Sequence, residues 1–555
     1  MSFRTHLTIL NETASAYPDR PVFRVPVLAP ADNGQSASEE VVEGWKVITY
    51  SQFDCNVRSY AKYWYHTLSA DGIPPRSVIG LWLSGLSYVD ALHIYSVARA
   101  GYVPQLFSLR LPSPEVIYEL LAKGGARALI ADSSFKSILG DAPVPVHVAT
   151  EVFDEDVMED TSLPELSEPR QGEDIVMIFH TSGSTSGSPK LVRCSYRWLN
   201  AMIAKANVIT RPRNQNVQDV SVWMGSMSHI AQTFMLLGSL QHGSCTIQPT
   251  KIAFSSDELM DMAARCQLNR LNQFATFLAT HLRASRQNPK LLQTLKDFEE
   301  VVYSGLALPR EEEDWAYRNG LRIKNLFGST ECGAMMLSIG GAGNDARFLR
   351  PIEGTVYGFF PVTAQSEDDD DKTAAQHLNA NQQLLEMVIL NESGDCPDPL
   401  LRSVEDGHFH TGDLFIEAAP GSYVSRGRDD DWIKSENSLR CDTKAIEDNV
   451  RSTCGDLIAE CIVVGNGRPS PALFIEPKLV DGVTVNEEKL KKDIIRKTRH
   501  FHSRRYLHER ISSPKFIFVV PAGTLPRTAT KGNIRRRAVE EKFKEMLDGV
   551  YGMSF

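Results

Sequence analysis

Between His180 and Lys190 the chain reads His-Thr-Ser-Gly-Ser-Thr-Ser-Gly-Ser-Pro-Lys, directly after the apolar run Asp174 to His180. Small residues let backbone approach a ligand closely. Glycine admits positive φ, so successive N–H groups can converge on phosphate oxygens. The hydroxyls of Thr181, Ser182, Ser184 and Thr185 and the cation of Lys190 add donors suited to a polyphosphate. The spacing is not G-x-x-x-x-G-K-[ST], so a Walker-type loop is excluded. A flexible Gly/Ser linker is the competing reading. The preceding apolar strand and the terminal Pro-Lys favour phosphate.

Four more segments follow in order: Ser304-Gly305-Leu306-Ala307-Leu308, Asn325-Leu326-Phe327-Gly328-Ser329-Thr330-Glu331, His410-Thr411-Gly412-Asp413-Leu414 and Ser425-Arg426-Gly427-Arg428-Asp429-Asp430-Asp431-Trp432-Ile433-Lys434. A fifth, Leu525-Pro526-Arg527-Thr528-Ala529-Thr530-Lys531-Gly532, lies near the C-terminus. Together with the loop they resemble the motif series of the adenylate-forming superfamily of acyl-CoA synthetases, luciferases and peptide-synthetase adenylation domains. The resemblance covers essentially the whole chain. It implies binding of ATP by Thr181, Ser182, Gly183, Ser184, Thr185 and Lys190, and by Gly305, Asn325, Leu326, Phe327, Gly328 and Ser329. It further implies ribose contacts from Asp413 and Arg428, and a hinge at Asp430. Thr330 would bond a phosphate, Glu331 would hold Mg²⁺ through a hard oxygen, and an aromatic at 327 could stack on adenine. Lys531 would be the catalytic lysine delivered by the C-terminal domain. The implied reaction is attack of a carboxylate on ATP, giving acyl-adenylate and pyrophosphate, then transfer to a thiol of coenzyme A or of a carrier-protein phosphopantetheine.

The sequence departs from the family in informative places. Asn437 stands where glycine is usual, and Lys531-Gly532 inverts the usual Gly-Lys order, which shifts Lys531 by one residue. The form Trp432-Ile433-Lys434-Ser435-Glu436-Asn437-Ser438-Leu439-Arg440-Cys441-Asp442-Thr443 looks like adenylation domains of fungal adenylate-forming reductases and their stand-alone relatives. Secondary metabolism is the expected setting. The substrate-helix stretch Trp223 to Ile230 carries no acid to pair an α-ammonium, which points to a small carboxylic acid without one. Gly305 and His229 are candidates for its wall, although His229 serves equally well as a core histidine. A stand-alone acid–thiol ligase is the leading reading. An adenylation domain of a longer carboxylic-acid reductase or peptide-synthetase-like enzyme comes second, and a non-catalytic nucleotide-binding protein is a distant third.

The elements that must position these residues alternate strand and helix. Ser77 to Leu83, Ala128 to Asp132, Glu300 to Gly305 and Leu321 to Gly328 read as strands, and Tyr88 to Arg99 as a helix. Past about Asp430 the pattern changes, with strands at Cys461 to Val464 and Lys515 to Val520 and helices at Val485 to Arg504 and Ile534 to Val550. The expected fold is α/β: a large N-terminal core of layered βαβ subdomains over 1–429, and a small mobile α+β domain over 430–555. The polar stretch 364–382 reads as a solvated insertion.

Composition sets the outer bounds. The 555 residues are 42% hydrophobic and 23% charged, with 59 Lys plus Arg against 69 Asp plus Glu. A net charge of −10 without a long basic block speaks against nucleic acid as a partner. No apolar run approaches the roughly 18 residues that cross a bilayer, and the N-terminus lacks a signal-peptide pattern, so a cytoplasmic protein without membrane contact is expected. Nine scattered cysteines match neither a zinc site nor a disulfide framework.

Overall fold

A computed structural model of the chain describes residues 3–29, 42–107, 113–150, 161–165, 171–181, 190–362, 383–429, 432–434, 440–478, 486–503, 505, 509–527 and 534–551. Ser182 to Thr185, Asp430, Asn437, Lys531 and the insertion 364–382 lie outside the described residues.

The fold is α/β, a large N-terminal unit of sheets and helices followed by a smaller α+β unit. The first sheet contains Val78–Trp82, Val103–Phe107, Ala126–Ala131 and Ile175–Thr181 in parallel, with Lys190–Ser195 antiparallel at its edge. Its strands are buried on both faces. Ile79 and Leu81 face one hydrophobic cluster, while Trp82, Leu129 and Ala131 face another, as a helix-covered parallel sheet requires. In the second sheet Pro21–Leu28, Cys245–Ile247, Val220–Val222, Arg270–Phe274, Glu300–Ser304 and Ile323–Ser329 run parallel. From Ile323–Ser329 onward that sheet turns antiparallel through Gly333–Ser338 to Phe409–Ala419 and Ser422–Arg428.

The helix Tyr196–Ile209 joins the two sheets. Ser195 caps it by accepting the Trp198 N–H at 3.2 Å. Trp198, Leu199, Met202, Ile203, Ala206 and Ile209 recur at helical spacing and are buried. Lys205 sits among them, also buried.

The smaller unit packs Ile458–Val464, Ala472–Pro477 and Ile517–Val519 into one sheet. Alternation places Cys461 and Val463 against the helices Thr443–Cys454 and Glu487–Ser503, and Ile462 and Val464 against the C-terminal helices. The continuous helix expected over Ile534 to Val550 is instead two, Arg536–Lys542 and Lys544–Tyr551, broken at Phe543. Phe543 leaves helical geometry at φ −109°, ψ 23°, and its ring packs 4.9 Å from that of Phe474 on the sheet. Tertiary packing outweighs the local helical preference.

One buried charge cluster ties the N-terminal ends of the parallel strands together. Arg270 opens its strand and donates to Asp219 at 2.9 Å, to the Ile209 carbonyl at 3.0 Å and to Glu300. Lys324 also pairs with Glu300, at 2.8 Å. Burial opposes ionisation of Glu300, but Arg270, Lys324 and Arg213 outweigh it and hold the carboxyl below its usual range. Removing one partner would strand buried charge, so Arg270→Met should cost about 3–5 kcal/mol. Urea denaturation followed by tryptophan fluorescence measures this. A loss below about 1 kcal/mol would show that the cluster does not anchor the sheet.

Candidate active site

Two parallel strands end at one level, and a third runs on past it into a hairpin. Phe274 stands beside Ser304, and Ser304 beside Leu326, in successive registers. Crevices of open α/β sheets form where loops leave the C-terminal strand ends. Here the loops are Trp223 to His229, the Gly305 turn and the Gly328 to Cys332 hairpin.

Gly305 has φ +87°, and a Cβ on it would stand 3.1 Å from Cδ1 of Phe274. Only glycine lets the chain turn here and keep backbone at the crevice wall. On the neighbouring loop, a Cβ on Gly225 would meet the same ring at 3.0 Å. The His229 ring stands edge-on to Phe274 at 5.2 Å. Its Nδ1 accepts the Ala231 N–H at 3.2 Å, making His229 the cap of the helix Ile230–Gln241. The neutral ring therefore carries its proton on Nε2. Trp223 to His229 is a turn, not helix as the sequence suggested, because the helix begins only at Ile230. Phe274, central to this wall, was not singled out from sequence; a strand ending in an aromatic is too common a signal.

The Phe327 to Glu331 segment is a strand end folded into a tight hairpin. A Cβ on Gly328 would lie 2.4 Å from the Gly333 carbonyl oxygen, so the two arms cross in direct backbone contact. Thr330 and Glu331 form the tip, partly exposed. Ser329 caps it by accepting the Cys332 N–H at 3.2 Å. Two donors hold its carbonyls: Trp198 Nε1 to Glu331 at 2.9 Å and Lys205 Nζ to Cys332 at 2.8 Å. Leu326 points its side chain into the core, and its carbonyl accepts from Ser304 Oγ at 2.7 Å. The Asn325 N–H donates to Ser338 Oγ at 2.8 Å. The half-buried Phe327 ring meets Phe415 edge-on at 5.3 Å.

Phe415 leads to the third part. Asp413 and Arg428 face each other across paired strands and form an ion pair at 3.4 Å. Thr411 to Asp413 bulges where the strand Phe409–Ala419 pairs with Leu384–Ile389, with Gly412 at φ +67°. Glu386 fixes this bulge, taking the Gly412 N–H at 3.1 Å on Oε1 while Oε2 meets His410 Nδ1 at 3.2 Å. Asp406 pairs with His410 Nε2 at 2.9 Å.

Thr181 and Lys190 stand opposite each other where the Ile175–Thr181 strand pairs with Lys190–Ser195. His180, just before Thr181, is stacked on Phe107 at 4.7 Å. Its Nδ1 lies 2.9 Å from the Leu106 carbonyl and Nε2 lies 3.1 Å from Gln105 Nε2. Burial lowers its pKa to about 4, against the Leu106 hydrogen bond. A neutral His180 therefore holds the strand end rigid near neutral pH.

Among the described residues no group of three or more His, Cys, Asp and Glu side chains could hold a metal alone. Glu331 at the hairpin tip offers a hard carboxylate, the donor type that suits Mg²⁺ carried on phosphates. No helix among the described residues is long and apolar enough to cross a membrane.

Comparison with known proteins bears on this arrangement. The family model described as "AMP-binding enzyme" matches residues 10–360, and "AMP-binding enzyme C-terminal domain" matches 430–554. The AMP-binding domain-containing enzyme iboA of Amanita muscaria is 36% identical over 529 residues, covering 94% of this chain and 98% of that protein. The adenylate-forming reductase stbB of Stachybotrys bisbyi is 23% identical over 83% of this chain, which spans only 41% of that protein. O-succinylbenzoate coenzyme A synthetase from Bacillus subtilis in complex with AMP superposes with a TM-score of 0.70 at 15% identity, covering 97% of this chain and 98% of that one.

The His410 cluster generates a titration that can be measured. Burial disfavours protonation of the ring, but Asp406 and Glu386 outweigh it and raise the pKa above its ordinary value of about 6.5. A raised folded pKa adds stability that is complete below the unfolded pKa and is lost as pH rises through the folded one. Histidine NMR should show His410 titrating above about 6.5, and Asp406→Asn should bring it down. Stability should fall more as pH rises above about 6.5 in the native protein than in His410→Gln, and parallel pH profiles would refute the pairing.

Proposed function

The chain belongs to the AMP-binding enzyme family, and from that premise we propose that it activates a small carboxylic acid with ATP and passes the acyl group to a thiol. A carboxylate oxygen attacks the α-phosphorus, the bond to the β-phosphate bridging oxygen breaks, and pyrophosphate leaves. The thiolate of coenzyme A or of a carrier-protein phosphopantetheine then attacks the acyl carbonyl, and AMP departs with the bonding pair.

The observation that carries this reading is convergence. Phe274, Ser304 and Leu326 lie side by side at one edge of the parallel sheet, and Gly305 and the hairpin carrying Glu331 follow directly from two of these strands. Asp413 and Arg428 face each other on the adjoining antiparallel part. In this reading Asp413 accepts from the ribose hydroxyls and Arg428 lies beside it. Thr181, Ser182, Gly183, Ser184, Thr185 and Lys190 cradle the phosphates, with Thr330 adding a hydroxyl. Gly305, Asn325, Leu326, Phe327, Gly328 and Ser329 line the adenine side, mostly through backbone.

Glu331, together with the phosphates, would hold Mg²⁺, which would supply positive charge against the developing pyrophosphate. Lys531 supplies positive charge at the reacting centre and holds two anions in line. The unit 430–555 turns about Asp430 between the two steps, relative to 1–429.

The acid binds between His229 and Gly305. Nε2–H of His229 suits a carboxylate oxygen, and the Phe274 ring favours an apolar body. The turn Trp223 to His229 carries no acid, so α-amino acids are disfavoured. Catalysis within a longer reductase or peptide-synthetase-like protein is the second reading, favoured by relatives such as stbB that are far longer than this chain. Secondary metabolism in a fungus is the setting this reading fits, with the cytoplasm as its site.

ATP–pyrophosphate exchange over a panel of carboxylic acids and amino acids tests the reading. Exchange should appear with an acid lacking an α-ammonium. Asp413→Ala should weaken ATP binding by about 1.5–3 kcal/mol in calorimetry. Lys531→Ala should slow adenylate formation on the order of 10²–10³-fold while sparing thioester formation from supplied acyl-adenylate. Exchange with one amino acid alone, or equal loss of both steps in Lys531→Ala, would contradict it.

A further inference from the structure

One stripe of the Tyr196–Ile209 helix touches three successive residues of the hairpin that ends in Glu331. Trp198, Met202 and Lys205 stand at i, i+4 and i+7, on one helical face. Trp198 Nε1 donates to the Glu331 carbonyl at 2.9 Å, and Lys205 Nζ to the Cys332 carbonyl at 2.8 Å. Met202 fills the space beside the next residue, where a Cβ on Gly333 would lie 2.3 Å from its Sδ. Gly333 has φ +64°, so both its conformation and its neighbour exclude a side chain.

Lys205 is the unusual member. It is 3% exposed and pairs with Asp395, 1% exposed, at 2.7 Å. Ser393 Oγ and Tyr357 OH donate to the same carboxylate. A buried ion pair contributes little net stability compared with an apolar residue of the same volume. What lysine adds is reach: one ammonium spans the Cys332 carbonyl and Asp395, joining the helix, the hairpin and the Asp395 turn. The helix in turn begins at Ser195, the last residue of the strand that Lys190 opens.

We propose that Trp198 and Lys205 are positioning residues for the Thr330–Glu331 tip. By fixing the carbonyls of Glu331 and Cys332 to a helix rooted in the strand that follows the phosphate loop, they set the reach from the polyphosphate to the Glu331 carboxylate. The proposal rests on Glu331 holding Mg²⁺ in the adenylation reaction. Neither side chain touches substrate.

The test is ATP–pyrophosphate exchange by the full chain with its best acid and varied Mg²⁺, comparing Trp198→Phe, Lys205→Met, Lys205→Arg and Glu331→Gln. Trp198→Phe keeps an aromatic side chain in the core and removes the donor together with the five-membered part of the indole. It should raise the Mg²⁺ needed for half-maximal exchange by about three- to tenfold, the scale of one hydrogen bond. Lys205→Met should raise it by about tenfold or more, and Lys205→Arg should restore part of the loss. Thioester formation from chemically made acyl-adenylate should stay unchanged in all three. If Lys205→Met does not fold, Trp198→Phe decides alone.

A lowered melting temperature with an unchanged Mg²⁺ requirement would reduce both residues to a structural role and overturn the proposal. If Glu331→Gln shifts the requirement and Trp198→Phe does not, only the positioning role falls. If Glu331→Gln itself leaves the requirement unchanged, the metal role of Glu331 fails and the positioning role with it.

Discussion

Three adjacent parallel strands held in register bring distant segments of the chain to one edge of the sheet, and that register organises the candidate site. Phe274, Ser304 and Leu326 occupy neighbouring positions on three adjacent strands, about 4.8 Å from one strand to the next. Each chain must leave the sheet at this edge, by a different route. After Phe274 a helix starts at once, Gly305 turns through left-handed backbone, and the third strand folds back on itself at Gly328. Three segments far apart in sequence thus share one crevice wall, with most of the backbone already committed to the sheet.

The two ends of these strands divide the work. At the N-terminal ends Arg270, Asp219, Glu300 and Lys324 form a buried, mutually paired cluster that holds the strands in register. The C-terminal ends carry glycines, partly exposed side chains and a hairpin tip whose carbonyls are held from behind. The Asp413–Arg428 pair extends this division into the antiparallel strands. There a bulge at Gly412, fixed by Glu386, leads into Asp413, whose carboxylate pairs with Arg428.

Local chemistry made much of this legible in the sequence. The strand Ile175–Thr181 before the glycine-rich stretch, the strand Glu300–Ser304 before Gly305, and Asp413 and Arg428, which come to face each other, were all marked by motifs. These features depend on neighbours along the chain or on one strand pairing. Phe274, Trp198 and Lys205 were not legible. Their partners lie far away in sequence, and each reads locally as an ordinary core aromatic or a lysine on a helix. The same limit misplaced the Trp223 to His229 turn and joined two helices across Phe543, whose ring has its partner on a distant strand. Local periodicity reports which face is apolar; it does not report what that face will meet.

Acyl-adenylate formation leaves an isotopic record, because the carboxylate oxygen that attacks the α-phosphorus stays with phosphate when the thiol displaces AMP. The decisive measurement supplies the best acid labelled with ¹⁸O in both carboxyl oxygens and weighs the nucleotide products by mass spectrometry. The account predicts one ¹⁸O in AMP and none in pyrophosphate. Unlabelled AMP, or label in ADP, orthophosphate or pyrophosphate, would mean that the acid is activated at another phosphorus or not at all.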